Sequence, residues 1–180
     1  MPLTPSRIII VMGVSSSGKS TVGRSIARRL HLPFLDGDGY HPEANVEKMR
    51  AGIPLDDADR WPWLERLATA LREAADRKGA SVGACSALKR AYRDFLVEQA
   101  GEPITFVYLD GSREVIGERM ARRHHEYMPA SLLDSQFATL EIPDPATENV
   151  LAVPVTDSVE KITQTVTKAL GHLKTFKRWQ

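Results

Sequence analysis

A glycine-rich loop, set between an apolar run and a helical pattern, constrains the fold of this chain more than any other feature. The segment from Gly13 to Ser20 reads GVSSSGKS and fits the motif G-x-x-x-x-G-K-[ST]. The run Ile8–Met12 before it predicts a strand, and apolar residues at helical spacing after it predict a helix. This phosphate-binding motif requires a strand before it and a helix after it. The predicted strand and helix on either side therefore favour a phosphate-binding loop over a glycine-rich turn that binds no ligand.

The residue types in the loop match the chemistry of a triphosphate. Gly13 and Gly18 let the backbone curl until successive N–H groups point at phosphate oxygens, and the N-terminus of the next helix adds positive charge. Lys19 is expected to neutralise the β- and γ-phosphates, and the Ser20 hydroxyl to bind Mg²⁺. The loop therefore predicts a nucleoside triphosphate and Mg²⁺ as ligands. The predicted nucleotide contacts here are Gly13, Val14, Ser15, Ser16, Ser17, Gly18, Lys19, Ser20 and Thr21.

Composition limits the classes of protein that this chain can belong to. Its 180 residues, 42% hydrophobic and 26% charged, predict one globular domain over residues 1–180. The 24 basic and 23 acidic residues nearly balance, so no patch for nucleic acid or an anionic membrane is expected. No apolar stretch approaches the roughly 20 residues of a membrane span, and no signal peptide is expected. A lone Cys85, expected to be buried, excludes an intrachain disulfide and favours a cytoplasmic protein.

Short apolar runs alternate with helical patterns along the chain. Strands are predicted at Ile8–Met12, Pro33–Asp36, Ala80–Cys85, Ile104–Leu109 and Val150–Val155. Helices are predicted at Lys19–Leu30, Pro42–Ala51, Pro62–Lys78, Leu88–Ala100, Ser112–Arg123, Ala130–Thr139 and Ser158–Lys174. Continuous apolar strands separated by helices favour a parallel sheet covered on both faces. We therefore predict a three-layer α/β/α domain with five parallel strands, whose carboxyl ends share the edge where ligands bind.

Two carboxylates follow the second predicted strand. Asp36 and Asp38 flank Gly37 and would point the same way along an extended chain. A phosphoryl-transfer site needs one carboxylate near the metal and another that orients or deprotonates the accepting hydroxyl. We assign Asp36 to the metal, through water, and Asp38 to the acceptor. The alternative is that Asp-Gly-Asp is only a turn sequence.

The next segment offers polar groups for a small acid. Pro42 suits the first turn of a helix, which places His41 at its cap and spaces His41, Asn45 and Lys48 along one face. Such a face suits a polyhydroxylated anion, although a solvated helix face has the same spacing. Further on, three acids precede Arg60, which predicts a capped helix entrance with Arg60 held by carboxylates or bound to a substrate carboxylate. The neighbouring Trp61 and Trp63 are expected in the core rather than as base-stacking platforms.

Cations later in the chain complete the set of candidates. Lys89 and Arg93 share a helix face that suits either substrate or surface ion pairs. A basic cluster of Arg119, Arg122 and Arg123 follows the fourth strand–helix unit, where a lid over residues 119–140 would stabilise charge on the transferring phosphoryl group. We predict Arg119 as a nucleotide contact and Arg123 as catalytic. The adjacent histidines at 124 and 125 diverge on a helix and lack further ligands, so no zinc site is expected.

Four segments together resemble the bacterial-type gluconokinases, which are P-loop kinases similar to shikimate kinase. They are MGVSSSGKST (Met12–Thr21), FLDGDGYHPEANVEKMRAGIPLDDADRWPWL (Phe34–Leu64), CSALKRAYRDFL (Cys85–Leu96) and MPASLLDSQFATLE (Met128–Glu141). They occur in the family's order and span most of the chain. The resemblance implies phosphorylation of the 6-hydroxyl of D-gluconate, with ATP and Mg²⁺, to give 6-phosphogluconate. It also implies a cytosolic enzyme that is commonly a homodimer.

The resemblance also implies roles for single residues. Asp38 matches the acceptor-orienting carboxylate and Asp36 its metal-side partner, while Arg119 falls where such kinases place adenine and lid contacts. The expected strand order favours Asp36 over Asp110, the other carboxylate that ends an apolar run. The lid departs from the family pattern, because His-Glu-Tyr at 125–127 stands where Gly-His-Phe is frequent. The candidate gluconate contacts are Asp38, His41, Asn45, Lys48, Arg60, Lys89 and Arg93.

Three other functions remain open at this stage. A shikimate kinase would have a Gly-Gly-Gly turn after the third strand, where this chain has Cys-Ser-Ala-Leu-Lys. A nucleoside or nucleotide kinase fits the loop and the arginine cluster alone. A nucleotide-dependent switch would need no acceptor, whereas the segments after the strands are rich in polar groups suited to a small acid.

Overall fold

A five-stranded parallel sheet forms the centre of the structure, a computed structural model that describes residues 2–122, 130–171 and 173. The strands are β1 (Ile8–Met12), β2 (Phe34–Asp36), β3 (Ser81–Ala84), β4 (Ile104–Asp110) and β5 (Val150–Pro154). They lie in the order β2-β3-β1-β4-β5, and each neighbouring pair is parallel. The predicted sheet is confirmed, and no strand end differs from its prediction by more than one residue.

Helices pack on both faces of this sheet. They are α1 (Lys19–Leu30), α2 (Glu43–Arg50), α3 (Asp57–Lys78), α4 (Arg90–Ala100), α5 (Arg113–Arg122), α6 (Ala130–Thr139) and α7 (Val159–Ala169), with a short 3₁₀ helix at Gly37–Tyr40. Side chains of β1 alternate between the two layers. Ile9 and Val11 pack with α1 and α7, whereas Ile8, Ile10 and Met12 pack with α3 and α4. All five are fully buried, as expected for the central strand of a three-layer fold.

The third helix begins earlier than its pattern predicted. Pro62 was expected in the first turn, but α3 starts at Asp57. Asp56 caps it: its carboxylate accepts from the Asp59 amide at 2.8 Å, and Asp59 accepts from the Asp56 amide at 3.0 Å. Such a reciprocal box satisfies two amides that a helix start leaves unpaired. Pro62 is the sixth residue of α3 and has no N–H to donate to the carbonyl of Ala58.

The strand order brings the segments after each strand to one edge. β3 lies between β1 and β2, so the turn at Asp36 reaches the loop after β1 across the end of β3. At that end Cys85 is buried, as predicted, and burial raises the pKa of its thiol to about 12. Among the residues described, no helix is long and apolar enough to cross a membrane.

Candidate active site

The loop between β1 and α1 adopts the backbone that its glycines allow. Gly13, Ser16 and Gly18 have φ values of +148°, +63° and +98°. A Cβ on Gly13 would lie 2.9 Å from the Ser17 Oγ, so no larger residue fits without a shift. Left-handed residues within a loop turn successive amides toward a common centre. The backbone thus has the conformation of an anion-binding loop at the start of α1.

Hydrogen bonds fix one part of this loop and leave another part open. The Gly13 amide donates to the Ser86 carbonyl at 3.3 Å, and the Ser17 amide donates to the Val14 carbonyl at 3.3 Å. Within the described part of the chain, no hydrogen bond uses the amides of Ser16 and Gly18. These two N–H groups are therefore available to an anion.

Lys19 stands at the start of α1 with its ammonium over the loop. Its Nζ donates to the carbonyl of Val14 at 2.9 Å, and the Val14 side chain is buried in the core. Thr21 follows in the first turn and is exposed. The ammonium is held at the loop and can exchange a carbonyl for a phosphate oxygen.

Ser20 and Asp36 meet at the predicted metal position. The Ser20 hydroxyl donates to Asp36 Oδ2 at 2.7 Å, and the guanidinium of Arg24 lies 3.8 Å from the same oxygen. Asp110, the alternative carboxylate, ends β4, which is the direct neighbour of β1. Its carboxylate lies 3.4 Å from the Tyr108 hydroxyl, whereas Asp36 is the carboxylate bonded to Ser20. A hydroxyl and a carboxylate beside a triphosphate loop are the hard oxygen donors that Mg²⁺ takes. The residues present therefore fit this cation.

The turn after β2 is tighter than the sequence indicated. Asp38 was expected to continue an extended chain, but its amide donates to Asp36 Oδ1 at 3.1 Å and opens the 3₁₀ helix. That expectation is wrong because Gly37 turns against β3, where an added Cβ would lie 2.3 Å from the Ala84 carbonyl. The Trp63 Nε1 donates to the Gly37 carbonyl at 2.7 Å. The two carboxylates are thus set at a tight corner whose backbone is bonded to Asp36 and to Trp63.

His41 and Asn45 form a polar junction beside that corner. Pro42, not His41, is the cap of α2, and the His41 ring stacks on Trp63 with centroids 4.1 Å apart. The buried Asn45 Nδ2 lies 2.8 Å from the Asp59 carbonyl and 3.2 Å from His41 Nδ1. Because the amide donates to Nδ1, the ring is neutral and carries its proton on Nε2.

The environment of His41 keeps the imidazole uncharged. Burial first, and then the positive charge of Arg60, lower the pKa of His41 to about 4. This ring can therefore offer an N–H to a hydroxyl throughout the neutral range, but it cannot act as a cation there.

Lys48 reaches the same junction but pairs within the protein. Its Nζ contacts both oxygens of Asp59, at 2.7 and 2.8 Å. These hydrogen bonds raise the pKa of Lys48 and lower that of Asp59. The predicted group of His41, Asn45 and Lys48 is therefore together, but two of its members hold α2 to the start of α3.

The guanidinium of Arg60 lies near aromatic and acidic side chains, and Arg60 forms no ion pair with any described residue. Its guanidinium lies 5.5 Å from the ring centroid of Tyr92, and its Nη2 donates to the Leu55 carbonyl at 3.3 Å. The Nε is buried without a hydrogen-bond partner in the described part. Asp57 instead accepts from Tyr92 and from Lys89 Nζ, and these bonds lower the pKa of the Asp57 carboxyl. Arg60 as a whole is half-buried, and a guanidinium without an ion pair in the described part suits an incoming carboxylate.

Arg93 does not join these groups. Its side chain is 1% exposed, and Nε and Nη2 donate to both oxygens of Glu148 at 2.6 and 3.0 Å. Nη1 donates to the carbonyls of Ala87 and Leu88. Burial would raise the pKa of Glu148, but the bonds from Arg93 hold it below its usual range. The structure therefore places Arg93 in the interior, where it ties α4 to the segment before β5, and not with the predicted substrate contacts.

The basic cluster is described only in part. Arg119 donates to the carbonyls of Val155 and, at 3.5 Å, Ser17, so it lies against the loop as predicted for a nucleotide contact. Arg122 is exposed at the end of α5. The predicted catalytic Arg123 and the histidines at 124 and 125 lie outside the described residues.

A contact of the loop was missed by the sequence analysis. The Ser15 amide donates to Gln136 Oε1 at 2.6 Å, and Gln136 Nε2 donates to the Ser15 hydroxyl at 2.8 Å. Gln136 lies on α6, far along the chain. Its signal in the sequence was a polar residue between Leu133, Phe137 and Leu140, at the spacing of an apolar helix face.

Helix α6 is fixed at its carboxyl end. The Glu141 amide donates to the Leu88 carbonyl at 2.9 Å, and its carboxylate accepts from the Arg90 amide at 2.8 Å. An ion pair between Asp134 and Arg113 joins the helix to α5. The chain leaving α6 is thus bonded to the start of α4.

Comparison with known proteins agrees with this site. A family model described as an AAA domain matches residues 8–143. The chain is 50% identical over 145 residues to the gluconokinase of Gluconobacter oxydans, a match that covers 79% of each protein. It is 41% identical over 162 residues to the thermosensitive gluconokinase of Escherichia coli, covering 89% of this chain and 86% of that protein. A crystal structure of a gluconokinase from Sinorhizobium meliloti matches with a TM-score of 0.81 at 43% identity, over the whole of both chains.

These matches extend over the loop after β1, the corner after β2 and the start of α4, which are the segments that form the site. The chain belongs to the gluconokinase family of P-loop kinases.

Proposed function

We propose that this protein transfers the γ-phosphoryl group of ATP to the 6-hydroxyl of D-gluconate, giving 6-phosphogluconate and ADP. One observation carries the proposal: hydrogen bonds join the phosphate loop, the corner after β2 and the start of α3. The Ser20 hydroxyl donates to Asp36 Oδ2 at 2.7 Å, and Trp63 Nε1 donates to the Gly37 carbonyl at 2.7 Å. The segments that carry the phosphate-binding Lys19, the acceptor carboxylate Asp38 and the carboxylate-binding Arg60 therefore meet at one edge of the sheet.

The donor half of the site consists of the loop and the start of α1. The amides of Ser16 and Gly18, with Lys19, would hold the phosphate oxygens. Ser20 and Asp36 would hold Mg²⁺, which when bound neutralises charge on the phosphates. Arg119 would contact the nucleotide.

The acceptor half consists of the corner after β2 and the junction of α2 with α3. Asp38 would orient the attacking hydroxyl and take its proton. Arg60 would bind the gluconate carboxylate through its guanidinium, and neutral His41 would donate to a hydroxyl. Lys89 lies beside the same aromatic and acidic side chains, because its Nζ donates to Asp57. Asn45 and Lys48 would hold the acceptor groups in position rather than contact gluconate, because both side chains are bonded to Asp59.

Further features of the enzyme belong to the same proposal. Residues 1–180 would form one kinase domain, with a lid at about 119–140 that includes the catalytic Arg123. A cytoplasmic homodimer is expected. The relatives named gluconokinase, at 41% and 50% identity, favour this activity over a shikimate or nucleoside kinase and over a switch without an acceptor.

A coupled assay of ADP release tests the activity. The purified chain is given ATP and Mg²⁺ with D-gluconate, shikimate, a nucleoside or no acceptor. We expect release with gluconate only, loss of turnover when EDTA removes the metal, and a mass twice that of the monomer in light scattering. Equal release without an acceptor would contradict the proposal and favour the switch.

One variant separates the acceptor assignment from a general loss of activity. Arg60→Lys keeps the charge but removes the planar donor group, so we expect the KM for gluconate to rise at least about tenfold with the KM for ATP unchanged. Arg66→Lys, further along α3, is the matched control. An unchanged KM for gluconate would remove Arg60 from the acceptor site.

A further inference from the structure

Gln136 is a polar side chain beside the apolar helix face that packs α6 onto the protein. Leu133 and Phe137 on that face join the core cluster that also contains Val14, and Leu140 follows one turn later. Apolar neighbours three residues before and one and four residues after it fix the direction of the Gln136 side chain. The amide is therefore held over the loop by packing.

The contact is a two-bond clamp on a single loop residue. Gln136 Oε1 accepts from the Ser15 amide at 2.6 Å, while Gln136 Nε2 donates to the Ser15 hydroxyl at 2.8 Å. A side-chain amide offers one acceptor and two donors in a plane. Both the peptide plane and the side-chain torsion of Ser15 are thereby set at once.

Ser15 directly precedes the amides that remain available to a phosphate. Ser16 has the left-handed φ of +63°, a conformation that a non-glycine residue holds only when its surroundings impose it. The clamp fixes the peptide that joins Val14 to Ser15, one unit before that residue, together with the Ser15 side chain. On the carboxyl side, the Ser17 amide bonds back to Val14 at 3.3 Å. Donors that are oriented before the ligand arrives need no reordering when it binds.

We propose that Gln136 is a positioning residue for phosphoryl transfer, which holds the loop amides in the orientation that binds the triphosphate. It acts through Ser15. The inference rests on the proposed function only in taking a nucleoside triphosphate as the ligand of the loop. The inference makes α6 part of the nucleotide site, because Gln136 contacts Ser15 although the two residues are 121 positions apart in the chain.

The test measures nucleotide binding directly, without the acceptor. Titration calorimetry with Mg²⁺ and ADP gives the Kd for wild type and for Gln136→Ala. We expect binding about tenfold weaker in the variant, the size that two ordinary hydrogen bonds contribute together. In the coupled assay, the KM for ATP should rise by a similar factor while the KM for gluconate stays within twofold. Gln164→Ala is the matched control, because Gln164 is an exposed glutamine of α7 whose side chain donates to Glu160 on the same helix.

Two further variants separate positioning from simple packing. Ser15→Ala removes one bond of the clamp and should weaken ADP binding about threefold. The double variant Ser15→Ala with Gln136→Ala should bind ADP no more weakly than Gln136→Ala alone, because that variant already lacks both bonds. Gln136→Glu keeps an acceptor for the Ser15 amide but places negative charge beside the phosphates. It should weaken ADP binding more than Gln136→Ala does, and more strongly at low salt.

Each outcome decides the matter. An unchanged Kd for ADP in Gln136→Ala, whatever its melting temperature, would overturn the inference, as would tighter binding, which would make Gln136 a blocker of the loop. Parallel losses for both substrates with a lowered melting temperature would assign it a general structural role. If Gln136→Ala does not fold, Ser15→Ala decides by the same Kd. Weaker ADP binding in a protein that fails to phosphorylate gluconate would sustain this inference and refute only the activity.

Discussion

The buried ion pair between Arg93 and Glu148 makes a strong prediction about stability. Glu148→Gln removes the negative charge and turns one of the two accepting oxygens into an NH₂ group that faces the guanidinium. The positive charge of Arg93, 1% exposed, then has no counter-charge. Removing one partner of a buried pair costs about 3–5 kcal/mol. One charge-assisted bond, of about 1.5–3 kcal/mol, is lost outright, and the other is weakened because its acceptor becomes neutral, which gives a similar range.

The structure favours the lower part of that range. Arg93 keeps its two bonds to the carbonyls of Ala87 and Leu88, which continue to solvate the charge. We therefore expect a loss of about 3 kcal/mol in the free energy of unfolding. For a chain of this size that lowers Tm by roughly 6–12 °C.

Urea unfolding followed by tryptophan fluorescence measures the change, since Trp63 is buried. Glu73→Gln is the matched control: Glu73 and Arg77 form an exposed pair at 3.9 Å, and its loss should change stability by less than about 0.5 kcal/mol. If Glu148→Gln lost less than about 1 kcal/mol and raised the KM for gluconate, Arg93 would be a substrate contact and the structural assignment would be refuted.

Three further predictions concern the reaction and its pH dependence. Lys19→Ala should lower kcat/KM at least about 10³-fold without a change in Tm, and wild-type turnover would contradict its role. Asp36→Asn should raise the Mg²⁺ concentration needed for half-maximal rate about tenfold or more, whereas Asp110→Asn should not; the reverse pattern would move the metal site to β4. His41 should stay neutral well below pH 6 in an NMR titration, because its pKa is lowered to about 4 in the folded state. Since the unfolded value is about 6.5, this group stabilises the fold fully above pH 6.5 and less as the pH falls toward 4. An NMR pKa near 6.5 would refute the burial of His41.

Local patterns predicted the elements well because they depend on local physics. The strand β1 and the helices α1 and α6 have the predicted bounds, since each is set by apolar spacing and, for α1, by the flanking glycine loop. The start of α3 was misplaced because Pro62 was taken as a first-turn residue. The signal for the true start was the pair Asp56 and Asp59 at capping-box spacing.

Contacts between distant segments were harder to predict. Arg93 was predicted to contact gluconate because its partner Glu148 lies 55 residues away, in a segment without regular structure. Lys48 and Asn45 were expected to face a ligand, but the chain supplies Asp59 as their partner. Gln136 escaped notice for the same reason, since a single sequence does not reveal which loop a helix covers.

The bonds from Glu141 to the start of α4 determine how α6 can move. A rotation of this ten-residue helix by 10° about its bonded carboxyl end would carry its first residue by about 2.6 Å at 1.5 Å rise per residue. Gln136, about 6 Å from that pivot, would move by about 1 Å. That movement would stretch its 2.6 and 2.8 Å bonds to Ser15 beyond hydrogen-bond length, so the clamp on the loop opposes the rotation. Because Glu141 is bonded to Leu88 and Arg90, which flank Lys89, the same helix links the nucleotide loop to the segment that carries Lys89.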